Sequence, residues 1–147
     1  MTTGILETVQ DRILSLPFHQ ACGLEIISAA RGVSHTRFAV NDFTANVTGA
    51  LHGGILYSMM DVAAFMALVT RLRPGQHPVT VDVHCAVCAA AYPGEMVELE
   101  AQVDRSGATM GFMRVEAFVL EEDGRRRVIG TGHVTKVIRT EAQLAGK

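Results

Sequence analysis

The spacing of hydrophobic residues changes character along this chain. Near the start, Ile5, Leu6, Val9, Ile13 and Leu14 recur at helical intervals until Pro17 stops the pattern, so residues 1–16 read as a short docking helix. Residues 24–30 and 34–40 are candidate strands joined at Arg31-Gly32, and the irregular run NDFTANVTGALHGG follows. From residue 54 to about 72 the chain is apolar almost all round. Ile55, Met59, Val62, Met66 and Val69 form one stripe, with Leu56, Met60, Ala63 and Ala67 beside it. A helix without a broad polar face is wrapped on most sides. Arg71, Arg73, Pro74 and Gly75 end it, with basic charge near its negative pole.

Beyond that helix the period becomes two. Val79, Val81, Val83, Cys85 and Val87 alternate with Thr80, Asp82, His84 and Ala86, which puts Thr80 on the polar side. Val97, Leu99, Ala101 and Val103 make a second series. Gly111, Met113, Val115, Ala117 and Val119 make a third, and residues 128–138 a fourth, with turns at Tyr92-Pro93-Gly94, Ser106-Gly107 and Asp123-Gly124. Four strands with short turns imply an antiparallel sheet with one apolar face, and the one long apolar helix is there to cover it. The expected fold is α+β, a sheet curled around a central helix. No repeat, low-complexity tract or linker divides the chain, so residues 1–147 form one domain, with 141–147 expected to be a tail without fixed structure.

A chain of 147 residues can bury a substantial core without disulfides or a structural metal. Its net charge of −2 offers no electrostatic footprint for nucleic acid or an anionic membrane. The apolar run 50–69 invites a membrane reading, but His52, Gly53, Gly54 and Asp61 interrupt it, and a buried core helix fits better. The N-terminus, with Glu7 and Asp11, lacks the basic start and cleavage site of a secretory signal. Cys22, Cys85 and Cys88 make an odd count without framework spacing, which favours a reducing compartment and a cytoplasmic location. Cys85-x-x-Cys88 resembles half a zinc site. Residues three apart on a strand point to opposite faces, however, and no second Cys/His pair follows, so no metal is assigned. His19, His35, His77, His84 and His133 likewise show no ligand spacing.

The candidate chemistry starts from one letter. Between Gly49 and Thr70 the sole formally charged side chain is Asp61, set among Met60, Val62, Ala63, Ala64 and Phe65. A buried carboxylate needs a donor, a counter-charge or water. A wet helix face would satisfy it equally well. The helix start adds a second element: His52-Gly53-Gly54 puts two residues without side chains where unsatisfied N–H groups and partial positive charge suit a carbonyl oxygen that becomes an oxyanion. The same glycines could simply let the chain turn. Asp61 lies about 10–12 Å along the axis from that start, too far to act on a carbonyl bound there. A second copy related by a two-fold axis would bring the Asp of one chain near the Gly-Gly of the other.

The run Asn46-x-x-Gly49-x-Leu51-His52-Gly53-Gly54 followed by Asp61 resembles the signature of hotdog-fold acyl-CoA thioesterases of the phenylacetate-pathway (PaaI-like) type, within the 4-hydroxybenzoyl-CoA thioesterase superfamily. The likeness extends more loosely over residues 17–138, through Phe18-His19, Gly23 and Gly130-Thr131-Gly132-His133-Val134-Thr135. It implies a hotdog fold and hydrolysis of an acyl-CoA thioester at the interface of a homodimer or dimer of dimers. The Gly53 N–H would polarise the carbonyl, with Asn46 and His52 shaping that end. Asp61 of the second subunit would activate water or attack directly, and Thr80 falls where a Ser or Thr often positions the water. Gly54, Tyr57 and Met60 are candidates for the substrate pocket, where adaptable side chains suit varied acyl tails. Arg71, Arg73, Arg105, Arg125, Arg126, Arg127 and Lys136 are candidates for the CoA phosphates, although residues 121–127 read most simply as a solvated hairpin tip.

Thioester hydrolysis requires a base or nucleophile and a stabiliser of negative charge, and no cofactor. A non-catalytic acyl-CoA-binding module would keep the pocket and lose the base, which Asp61 argues against. A hotdog hydratase or dehydratase would carry a His-acid motif such as D-x-N-x-x-H, and this chain has none.

Overall fold

The computed structural model describes residues 3–146. Helix α1 (Thr3–Ser15) is followed at once by a second helix, α2 (Pro17–Cys22). Pro17 stops the first pattern and also starts a new helix. It sits in the first turn of α2, where a missing N–H costs nothing, and Gly23 closes that helix at φ 69°. Strands β1 (Glu25–Ala30) and β2 (Val33–Ala39) come next. They lead to the long helix α3 (Gly53–Val69), then β3 (Gln76–Val87), β4 (Met96–Ser106), β5 (Met110–Leu120) and β6 (Arg126–Thr140). Residues 141–147, expected to lack structure, begin instead with a short helix, α4 (Glu141–Ala145). The Thr140 N–H donates to Gln143 Oε1 (2.9 Å) and the Glu141 N–H to the Gly75 carbonyl (3.0 Å), which fastens this end to the turn before β3.

The six strands form one antiparallel sheet in the order β1-β2-β4-β5-β6-β3. Alternation could not reveal this order: β3 does not join β4, its successor, but lies outside β6 and forms a twelve-residue sheet edge. The sheet curls around α3, as the apolar helix demands. Leu56, Met59, Met60, Ala63, Ala67 and Leu68 are buried against the inner residues Phe38, Leu99, Ala101, Met113, Val115 and Val134. Two glycines of β6 allow the close approach. A Cβ on Gly130 would stand 3.0 Å from Leu56 and 3.1 Å from Met60. One on Gly132 would stand 2.8 Å from both the His84 carbonyl oxygen and the Met60 sulfur. Met60, expected in the substrate pocket, is therefore a core residue with no exposed surface, because its side chain fills the space those glycines leave.

One irregularity in β3 decides the chemistry. Thr80 pairs with Lys136 and Asp82 with Thr135, so Val81 is an extra, bulged residue. The bulge shifts the side-chain parity. Pro78 and Thr80 face α3 before it, and Val83 and Cys85 face α3 after it. Strict alternation placed Thr80 on the opposite face.

Candidate active site

Two grooves lie along the uncovered stripe of α3. The first, about 330 Å³, is walled by Tyr57, Ser58, Asp61 and Val62 of α3, Phe18 and His19 of α2, and Thr80 and Val83 of β3. Asp61 finds its partners here. Its carboxylate, 31% exposed, accepts a hydrogen bond from Lys136 Nζ at Oδ1 (2.6 Å). It also accepts one from the Thr80 hydroxyl, which stands 2.9 Å from Oδ1 and 3.0 Å from Oδ2. Lys136 Nζ donates to Thr80 Oγ1 as well (2.7 Å), so the three side chains close a ring. The lysine is only 1% exposed. Burial pushes its ammonium below the ordinary lysine range, while the Asp61 carboxylate pulls the other way. In the same groove His19 holds the Ile13 carbonyl through Nδ1 (2.7 Å).

Lys136 was expected among the residues for CoA phosphates, and its burial rules that out. The hidden signal was parity within β6: Gly130, Gly132, Val134 and Ile138 all point inward, and Lys136 occupies the position between the last two. Three of the arginines are also committed. Arg125 pairs with Asp123 (2.6 Å), Arg126 with Glu100 (2.7 Å), and Arg127 with Glu121 (2.6 Å) and Glu95. Arg71, Arg73 and Arg105 have no carboxylate partner among the described residues.

The second groove, about 350 Å³, is lined by Asn46, Thr48, Leu51, Gly53, Leu56 and the segment 87–91. Asn46 builds its floor. Its Oδ1 accepts from the Thr48 N–H (2.9 Å), the Thr48 hydroxyl (2.8 Å) and the Ala50 N–H (3.2 Å), which leaves the Nδ2 donors uncommitted among the described residues. Gly49 makes the tight loop possible at φ 83°. The helix begins at Gly53, one residue earlier than its pattern suggested, with His52 as N-cap. His52 Nδ1 accepts the Gly54 N–H (2.9 Å), so Gly54, expected to bind substrate, has its donor occupied. The Gly53 N–H has no partner among the described residues, and Gly53 lines the groove.

The structure thus joins Asp61, Thr80 and Tyr57 in one groove and Asn46 with Gly53 in another, eight residues back along α3. No cluster of three or more His, Cys, Asp or Glu side chains that could hold a metal occurs among the described residues. No helix there is long and apolar enough to cross a membrane.

The family model described as "Thioesterase superfamily" matches residues 48–124, more than half of the chain. The chain belongs to the thioesterase superfamily. Acyl-coenzyme A thioesterase 13 of Homo sapiens is 28% identical over 137 residues, covering 92% of this chain and 95% of that protein. The thioesterase superfamily member 2 structure from zebra fish superposes with a TM-score of 0.79 at 27% identity, over 93% of this chain and 98% of that one. The Escherichia coli PaaI protein of the phenylacetic acid degradation operon shares the fold, with a TM-score of 0.77 at 18% identity over 92% and 95% of the two chains. This thioesterase has the PaaI-like hotdog fold that its motif implied.

Proposed function

We propose that this thioesterase hydrolyses acyl-CoA thioesters to the free acid and CoA, in sites that two copies of the chain build together. The observation that carries the reading is the Asp61 carboxylate, clamped by Thr80 and Lys136 yet open to a groove at the sheet edge. In each site the unsatisfied Gly53 N–H binds the thioester oxygen, and Asn46 offers a further donor beside it. Asp61 from the second copy takes the proton of an attacking water, or adds to the carbonyl itself. On the water route the C–S bond breaks as the sulfur leaves with the proton that Asp61 returns. On the other route the sulfur leaves as a thiolate that takes a proton from solvent, and water then hydrolyses the acyl–Asp61 anhydride to free acid and carboxylate.

The sheet edge supports the shared arrangement. β3 is long and unpaired on one side, with Val79 and Val81 exposed, and such edges are normally covered. Along β3, Thr80 marks the level of Asp61, and Val87 marks the level of Gly53, where a Cβ would lie 4.0 Å from the valine. Antiparallel pairing of two β3 strands about an axis at His84, with Val81 bulged out of the ladder, sets Thr80 of one copy across from Val87 of the other. Asp61 then comes to the level of the other copy's Gly53.

The test is release of free thiol from a panel of acyl-CoA esters of different chain length and ring content. Steady turnover of at least one member is expected. Saturable binding without thiol release would favour the binding module, and hydration of an enoyl-CoA without thiol release would favour a hydratase.

A further inference from the structure

The strand position that carries Lys136 would suit an apolar residue. Val134 and Ile138 flank it on the inner face of β6, and its neighbours across the sheet are Thr80 on β3 and Gly111 on β5. Burying an ammonium is costly, and an ion pair inside a protein seldom outperforms well-packed apolar side chains of the same size. Lys136 therefore has no stability reason to be charged. Its contacts indicate what the charge does. One N–H bond goes to Asp61 Oδ1 and one to Thr80 Oγ1, and the Phe65 ring lies beside the ammonium with its centroid 5.7 Å away. Because Thr80 Oγ1 accepts from the lysine, its own proton is turned toward the carboxylate.

We infer that Lys136 is a positioning residue for thioester hydrolysis: it fixes Asp61 as a carboxylate with Oδ1 anchored, so that Oδ2 is the oxygen presented to water or substrate. The inference rests on the acyl-CoA hydrolase reading and adds to it the orientation and charge state of the base. Oδ1 receives both the ammonium and a share of the Thr80 hydroxyl. Oδ2 receives only the remaining share, and it keeps lone pairs for a proton. The bulge at Val81 serves the same arrangement, since it allows Thr80 and Val83 both to face the helix. The other titratable groups around the groove are His19 from α2 and Tyr57 from α3, with the uncharged Ser58 of α3 beside them.

Lys136→Met and Lys136→Gln remove the charge, Lys136→Arg keeps it, and Asp61→Asn serves as the reference, all assayed by thiol release across pH. A lost hydrogen bond to a charged group corresponds to a fall in kcat of about 10–100-fold, which is expected for the Met variant, and the Gln variant, with a neutral donor in place of the ammonium, should fall less. KM should change far less. The acid limb of their kcat/KM profiles should move to higher pH, because removing a neighbouring cation disfavours the charged form of a base. Lys136→Arg should return the limb toward its wild-type position. A residue needed only for packing would lower the amount of folded protein without moving that limb. Should Lys136→Met not fold, Lys136→Gln retains a donor for Oδ1 and answers the same question. Folded Met or Gln variants with the wild-type acid limb and kcat, beside an inactive Asp61→Asn, would overturn the role of Lys136 alone. An active Asp61→Asn would overturn the hydrolase reading of the site and this inference with it.

Discussion

The two grooves along α3 are furnished in opposite ways. The Gly53 end takes its polar side chains and its free N–H from one stretch, residues 46–54, with the apolar segment 87–91 as its other wall. A looped Asn46, a His52 cap and a bare N–H all belong to neighbouring turns of chain, and no charge is present. The Asp61 end is assembled from distant parts. Asp61 comes from α3, Thr80 from a bulged β3 and Lys136 from β6, 75 residues further on. One end offers an unsatisfied donor, the other a charged acceptor whose partners are fixed in advance. Each lacks what the other has. A half-buried carboxylate needs tertiary support to hold one orientation, whereas an unpaired N–H needs only a helix start.

The acceptor end breaks hardest. Asp61→Asn should lower kcat by about 10²–10⁴-fold, the range for loss of a general base. The structure adds a second effect. The substitution leaves a buried ammonium without its counter-charge, and breaking a fully buried pair costs about 3–5 kcal/mol. The cost here is smaller because the carboxylate is 31% exposed. Asp61→Asn should therefore melt below the wild type, and adding Lys136→Met should recover the lost stability without restoring activity. Melting temperatures of the three proteins beside thiol-release rates check this. Thr80→Val removes a hydroxyl shared between the two carboxylate oxygens and should reduce kcat by about tenfold, with little change in melting. A Thr80→Val enzyme with full kcat would leave the ammonium as the only necessary support.

How much of this could be read from the letters follows the same division. The Gly53 end is local, so the spacing from Asn46 to Gly54 displayed it, and the isolation of Asp61 on an apolar helix marked the other end. The long helix was legible because it is apolar almost all round, and the last four strands because each alternates with one buried face, while the first two stood as candidates on either side of Arg31-Gly32. What stayed hidden depended on register. The Val81 bulge, invisible to alternation, reversed the face assigned to Thr80. Lys136 looked like one more surface cation until its parity with Val134 and Ile138 placed it inside. Met60 fitted a pocket by chemistry, yet the glycines of β6 draw it into the core. Gly54 fitted as a donor until His52 took its N–H. The pairing of β3 with β6 brings Thr80 and Lys136 together, and no pattern within one segment specifies a partner so far along the chain.

If the two unlike ends meet only between copies, two variants that are each inactive should complement one another. Asp61→Asn disables the acceptor end. Asn46→Ala disables the donor end, with an expected loss of about 10²–10³-fold, the range for an oxyanion donor. Each variant is confirmed folded and inactive alone, and the two are then unfolded together and refolded as an equal mixture. Random pairing makes about half of the dimers mixed, and each mixed dimer holds one site with both defects and one with neither. The mixture should therefore recover roughly a quarter of wild-type thiol release. A mixture that demonstrably contains heterodimers and remains as inactive as its parents would contradict the shared site.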